Sequence, residues 1–115
     1  MEDWENISLE ELITFDEIEL ISLDGKEKNK AYLLVSPEII NGKKMECMYF
    51  KGKKFYFDQR SFLPEYVKGY LTIAGVRYKI ISVKGEIKPK NEFIKLVYNN
   101  HAENNANKND AKILK

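Results

Sequence analysis

Apolar and polar side chains begin to alternate at Phe15. Ile18 and Leu20 alternate with Glu17 and Glu19, the period-two pattern of a half-buried strand. Asp24-Gly25 reads as a turn, and Lys26 to Lys30 as a polar connection. Ala31 to Ser36 predicts a second strand, which Pro37 interrupts because it has no amide hydrogen. Asn41-Gly42 is a strong hairpin signal. A strand from about Lys44 to Phe50 follows, then a turn at Lys51-Gly52 and another strand opened by Phe55 to Phe57. Asp58 to Lys68 breaks the alternation. Pro64 there is suited to open a single helical turn that Gly69 could close.

From Tyr70 to Val83 two runs rich in β-branched and aromatic residues meet at Ala74-Gly75. Such residues fit a pleated, half-buried surface, and Gly75 supplies the positive φ a tight hairpin turn needs. Lys84 to Asn91 reads as a long loop. Phe93 to Tyr98 reads as the last strand, with Ile94, Leu96 and Tyr98 on one face. Ahead of all these, Ser8-Leu-Glu-Glu11 is a capping-box pattern, with Ile7 and Leu12 at the staple positions. It predicts a short helix over roughly Leu9 to Thr14. So short a helix needs docking, for which Trp4, Ile7, Leu12 and Ile13 are available.

Short strands broken by glycine turns predict an all-β fold: a small antiparallel β-barrel with a short N-terminal helix and a flexible C-terminal tail. The barrel domain is expected over residues 1–98 and the tail over 99–115. The tail has six asparagines from Asn99 to Asn109 and no large apolar side chain before Ile113 and Leu114. Such a composition buries too little surface to offset its ordering entropy.

Composition narrows the function classes. At 115 residues, 43% hydrophobic and 32% charged, the chain suits one soluble domain with a modest core. The N-terminus is acidic where a secretory signal would be basic and then apolar. No apolar run approaches the length of a membrane span. With Cys47 alone there is no internal disulfide, so a reducing intracellular setting is expected. The net charge is +1, but residues 1–24 carry half of the 18 acids (Glu2, Asp3, Glu5, Glu10, Glu11, Asp16, Glu17, Glu19, Asp24) and none of the 19 bases. An acidic opening on a basic body suits pairing within one molecule or head to tail between copies.

No enzyme emerges from the sequence. The single histidine, His101, lies in the polar tail, away from Cys47. Cys and His do not cluster as zinc requires. The carboxylates Asp58, Glu65 and Glu86 are scattered, and the glycines sit at turns rather than in a phosphate loop. No catalytic, metal-binding or cofactor-binding residue is therefore assigned, and no cofactor is expected. Lys43, Lys44, Lys51, Lys53 and Lys54 are interleaved with Tyr49, Phe50, Phe55, Tyr56 and Phe57. Barrels that bind single-stranded nucleic acid combine such groups. In the competing reading, alternate aromatics fill the core and the lysines solubilise hairpin tips.

The run Gly75-Val-Arg-Tyr78-Lys-Ile80-Ile-Ser-Val83, followed by Phe93 to Tyr98, resembles the C-terminal half of small β-barrel proteins at phage head–tail junctions. These often read as an apolar strand, a turn with Gly, a Gly-x-x-Tyr-x-Ile/Val-x-x-Val strand and a final apolar strand. The resemblance covers about 30 residues. It implies a head-closure (stopper) or head–tail connector protein. Such a protein forms a homo-oligomeric ring below the portal, contacts portal or adaptor and tail proteins, and lines a channel through which DNA passes without sequence recognition. It would reside in the virion after assembly in the host cytoplasm, with no membrane. Under this reading Arg60, Phe62 and Tyr66 are the candidate subunit or channel loop, and Ile113 and Leu114 the candidate tail anchor. Two alternatives are a small single-stranded nucleic-acid-binding β-barrel and a small intracellular inhibitor or interaction protein.

Overall fold

The computed structural model describes residues 12–99. Seven strands form one antiparallel sheet: β1 (Leu12–Ser22), β2 (Lys28–Leu34), β3 (Glu38–Ile40), β4 (Lys43–Phe50), β5 (Lys53–Asp58), β6 (Tyr70–Ile73) and β7 (Val76–Pro89). Helix α1 (Gln59–Lys68) joins β5 to β6. A second helix, α2, occupies residues 90–99. The sheet curls into a half-barrel, the all-β architecture expected from the alternation.

Three two-residue turns shape it. Asn41-Gly42, Lys51-Gly52 and Ala74-Gly75 all place both central residues at positive φ. That is the type I′ geometry whose twist matches paired strands. β2 and β3 share one edge of β4, through Ala31↔Phe50 and Glu38↔Met45, and the Pro37 break lies between them. β5 takes the other edge of β4. β1 bridges β2 and β7, and among the described residues β6 pairs only with β7. The register of β1 against β7 shifts between Glu19 and Leu20, so Ile81 is an extra residue there, and a bulge of this kind bends a strand.

Strand side chains alternate between faces, and here both faces are covered. The concave face holds Ile18, Leu20, Ala31, Leu33, Met48, Phe50, Leu71, Ile73 and Tyr78, with Phe62 of α1 set among them. The convex face holds Phe15 and Tyr32 under Phe93, Ile94 and Val97 of α2.

Three expectations change. Leu12, Ile13 and Thr14 are strand, not helix, because they pair with Pro89, Lys88 and Ile87 of β7. Residues 9–11 of the expected helix lie outside the described residues. The expected loop from Lys84 is instead the second half of β7, held by the same ladder. Phe93 to Tyr98 lies in helix α2, not in a strand; burying Phe93, Ile94 and Val97 together requires helical spacing. The final strand of the head–tail pattern is thus replaced by a helix, while its Gly75 turn and the strand to Val83 are formed.

Asp58 to Lys68 is more ordered than expected. Asp58 caps α1 by accepting from the Arg60 amide, and Gly69, at φ 94, donates back to Glu65 and Tyr66. Pro64 lies inside the helix, where it removes one backbone bond. The two caps and the burial of Phe62 offset that loss.

Candidate interaction site

The half-barrel does not close on itself. Among the described residues β5 pairs only with β4, and β6 only with β7. The seam between these two edges is its open side. Helix α1 spans one end of the seam. Phe62 packs between Phe57 and Tyr66, with ring centroids 5.3 Å apart in each pair. Glu65 of α1 reaches Arg77 of β7 at 2.8 Å, and the Arg77 guanidinium lies 4.3 Å from the Tyr70 ring centroid.

Polar groups fasten α1 from beneath. Glu46 is buried on β4 and accepts from Gln59 Nε2 at 2.8 Å. The Tyr66 hydroxyl is hydrogen-bonded to Asp16 of β1. Burial first, then the nearby Asp16 and Glu46 charges, push the hydroxyl up to about 12. A phenol in that environment stays protonated and donates to the carboxylate. Among the described residues no group of three Cys, His, Asp or Glu side chains could hold a metal ion. The cluster serves as a fastening for α1.

The other end of the seam is open. There the β4–β5 and β6–β7 hairpins face each other across a cleft of about 340 Å³. Phe50, Lys51, Lys53 and Phe55 line one wall, and Ile73, Ala74, Val76 and Tyr78 the other. The floor is aromatic: Phe50 lies 6.4 Å from Phe55 and 5.5 Å from Tyr78. Lys51 Nζ sits 5.4 Å from the Phe50 ring centroid. Lys53 faces Phe50 across the ladder, which directs it to the concave side. Both lining charges are positive. The Tyr78 hydroxyl is pushed up by burial and then by Glu27.

A further open surface is the far edge of β7 beyond Lys79, where β6 stops. Val83 and Ile87 are exposed there, on the faces of Ile18 and Thr14, their ladder partners. Lys84, Lys88 and Pro89 are features that blunt an edge against unwanted pairing.

The three residues of the candidate loop all fall on or against α1, in different surroundings. Phe62 is in the concave core and Tyr66 is half-buried over it. Arg60 alone is exposed, and its Nη2 pairs with Asp58 at 3.2 Å. Ile113 and Leu114 lie outside the described residues, as does His101. Of the lysine–aromatic set, Phe50, Phe55 and Phe57 pack toward the concave core and Tyr49 toward the convex one. Tyr56 faces outward, with Lys54 Nζ 5.2 Å from its ring centroid. No single segment of the sequence marks the cleft. Its signal was the pair of Lys-Gly and Ala-Gly turns, which the fold brings to the same rim.

No helix among the described residues is long and apolar enough to cross a membrane. No family model matches the chain, and neither does any curated protein or solved structure.

Proposed function

We propose that the chain is a non-enzymatic assembly subunit, a head–tail connector or head-closure protein that forms a ring of identical copies around a DNA channel. The observation that carries this reading is the unclosed seam. Two strand edges, β5 and β6, lack a lateral partner among the described residues, and unpaired edges are templates for association. Leu63 and Val67 are exposed on α1 over the same seam, and Val76 on the cleft wall. An apolar-lined opening with charged neighbours suits a protein contact. Of the head–tail pattern, the Gly75 turn and the strand to Val83 are formed, and Val76 and Tyr78 of that strand line one wall; this part of the pattern favours the assignment, while α2 stands in place of its final strand. The mechanism is assembly and gating, with no bond made or broken.

The single-stranded nucleic-acid reading is weaker. It needs free aromatic faces for base stacking. Phe50 is buried with Lys51 over it, and Lys54 lies over Tyr49 and Tyr56.

Light scattering on the full chain across a concentration series, with electron microscopy of the largest species, tests the proposal. A closed ring, and capture by a phage portal or tail protein, are the expected results. A monomer at every concentration that shifts oligonucleotides in a salt-dependent way would replace it with the nucleic-acid reading.

A further inference from the structure

Resting on the ring reading, we infer that the cleft between the two hairpins receives the acidic N-terminal segment of a neighbouring copy, with Trp4 as its apolar anchor. Charge is the first argument. Lys51 and Lys53 rim the cleft, and among the described residues no carboxylate lines it. Residues 1–11 carry Glu2, Asp3 and Glu5 beside Trp4, and no base. The other segment outside the described residues, 100–115, has more bases than acids, so the same rim would repel it. Chemistry is the second argument. The apolar surface the cleft offers is the exposed Val76 and the half-buried Phe55, over a buried base of Phe50 and Tyr78; it suits an indole, which buries a large area at small entropic cost. Two ammonium groups beside it suit the flanking carboxylates.

Reach is the third argument, and it bears on which copy donates. Leu12 pairs with Pro89 and Ser22 with Tyr78, so they sit at opposite ends of the β1–β7 ladder. Tyr78 lines the cleft. At about 3.3 Å per residue, β1 carries the chain about 33 Å from Leu12 to the cleft end. Trp4 precedes Leu12 by eight residues, which span at most about 28 Å even when fully extended. A chain's own Trp4 reaches the cleft only with the whole segment doubled back and fully extended along β1, which costs the most ordering entropy, so we take the donor to be a neighbour. The resulting contact is head to tail, the heterologous kind that generates rings when its rotation closes.

Trp4 is the only tryptophan in the chain, so its emission reports on this segment alone. In the full chain, Trp4 emission should shift to the blue as concentration rises, in step with the mass from light scattering. Both changes should reverse between about 0.1 M and about 1 M salt, as the screening length falls from about 10 to about 3 Å. Trp4→Ala, and separately Lys51→Glu with Lys53→Glu, should weaken assembly by about tenfold or more while leaving the circular dichroism unchanged. Mixing the Lys51→Glu, Lys53→Glu chain with a Glu2→Lys, Asp3→Lys, Glu5→Lys chain should restore assembly. Rings that form with unmoved Trp4 emission would overturn the inference and leave the ring reading standing. Blue emission from a monomer would show self-docking and overturn it too. A chain that stays monomeric with red emission at every concentration would remove both.

Discussion

The two helices do opposite jobs on the two faces of one sheet. On the convex face α2 supplies Phe93, Ile94 and Val97, and the strands add Phe15 and Tyr32. Phe93 sits at the centre, with ring centroids 4.5 Å from Phe15, 6.1 Å from Tyr32 and 5.3 Å from Tyr49. Without α2 these strand aromatics would face water. On the concave face the strands supply nearly all the buried side chains, and α1 adds Phe62. α1 also borders a cleft of about 200 Å³ lined by Phe57, Phe62 and Leu71 among others, so its packing is looser. The difference separates a helix the fold requires from a helix that covers part of an opening. The unclosed seam on which the proposed assembly contact rests lies on the side of the second.

The largest effects should break this comparison if it is wrong. Phe93→Ala removes the centre of the convex cluster and should cost about 3–5 kcal/mol. Phe62→Ala should cost less, about 2–3 kcal/mol, because its surroundings can relax into the adjoining cleft. Equilibrium denaturation of the two variants measures both. Equal losses would mean that α1 is as integral as α2.

Alkaline pH should act on α1. The Tyr66 hydroxyl is pushed up to about 12, by burial first and then by Asp16, against about 10 in an unfolded chain. The folded state therefore favours the protonated form. Its stabilising contribution is full below about pH 10 and is lost as pH rises through about 12. Tyr66→Phe should flatten the fall in melting temperature over that range. The share due to Tyr78, also shifted upward, should remain. A Tyr66→Phe chain with an unchanged alkaline profile would detach the hydroxyl from the fastening of α1.

The same comparison explains what could be read in advance. Strands with their own signal were legible: Glu17 to Leu20 alternates, and Asn41-Gly42 and Ala74-Gly75 announce their turns. Elements decided by distant partners were not. Lys84 to Pro89 has loop-like composition and becomes strand because β1 pairs with it. Leu12 to Thr14 follows a capping-box pattern, yet ladder bonds to β7 outweigh that local preference. Phe93 to Tyr98 satisfies period two through Ile94, Leu96 and Tyr98 and helical spacing through Phe93, Ile94 and Val97; so short a run cannot separate the two. The convex aromatics Phe15 and Tyr32, which need a cover, decide it. The cleft was hidden for a related reason. Phe50 and Tyr78 are far apart in sequence, and only the curl of the sheet brings their hairpins to one rim.

Turn substitutions should sharpen the contrast between the open rim and the rest. Gly75 has φ 82 in a two-residue turn, and Gly25 has φ 77 in the longer connection from β1 to β2. Both positions strain a side-chain-bearing residue, so Gly25 is more constrained than a polar loop alone suggests. Gly75→Val should still lower stability more, by about 1–3 kcal/mol. A two-residue turn cannot share the strain, whereas the connection from β1 to β2 has more residues over which to spread it, and its Ser22, Asp24 and Glu27 hydrogen bonds hold it independently of any side chain at position 25. Equal and negligible changes in melting would show that neither turn is needed to hold register.

The smallest effect is a gain. Ala74 holds φ 51 at the first position of its type I′ turn, where Asn41 holds φ 52 in the β3–β4 turn. Alanine is strained in this left-handed region, and asparagine tolerates it better. Ala74→Asn should therefore stabilise the chain by at most about 1 kcal/mol, part of the left-handed cost of about 1–2 kcal/mol, a rise of a few degrees in Tm. Asn41→Ala should lose a similar amount. Ala74 lies on the cleft wall but is exposed, so neither core is disturbed. Matched and opposite shifts would show that the two hairpins differ only in local turn chemistry. A loss on Ala74→Asn would show that the cleft wall is already packed to the limit at Ala74, and that the space between the hairpins is narrower than an inserted indole requires.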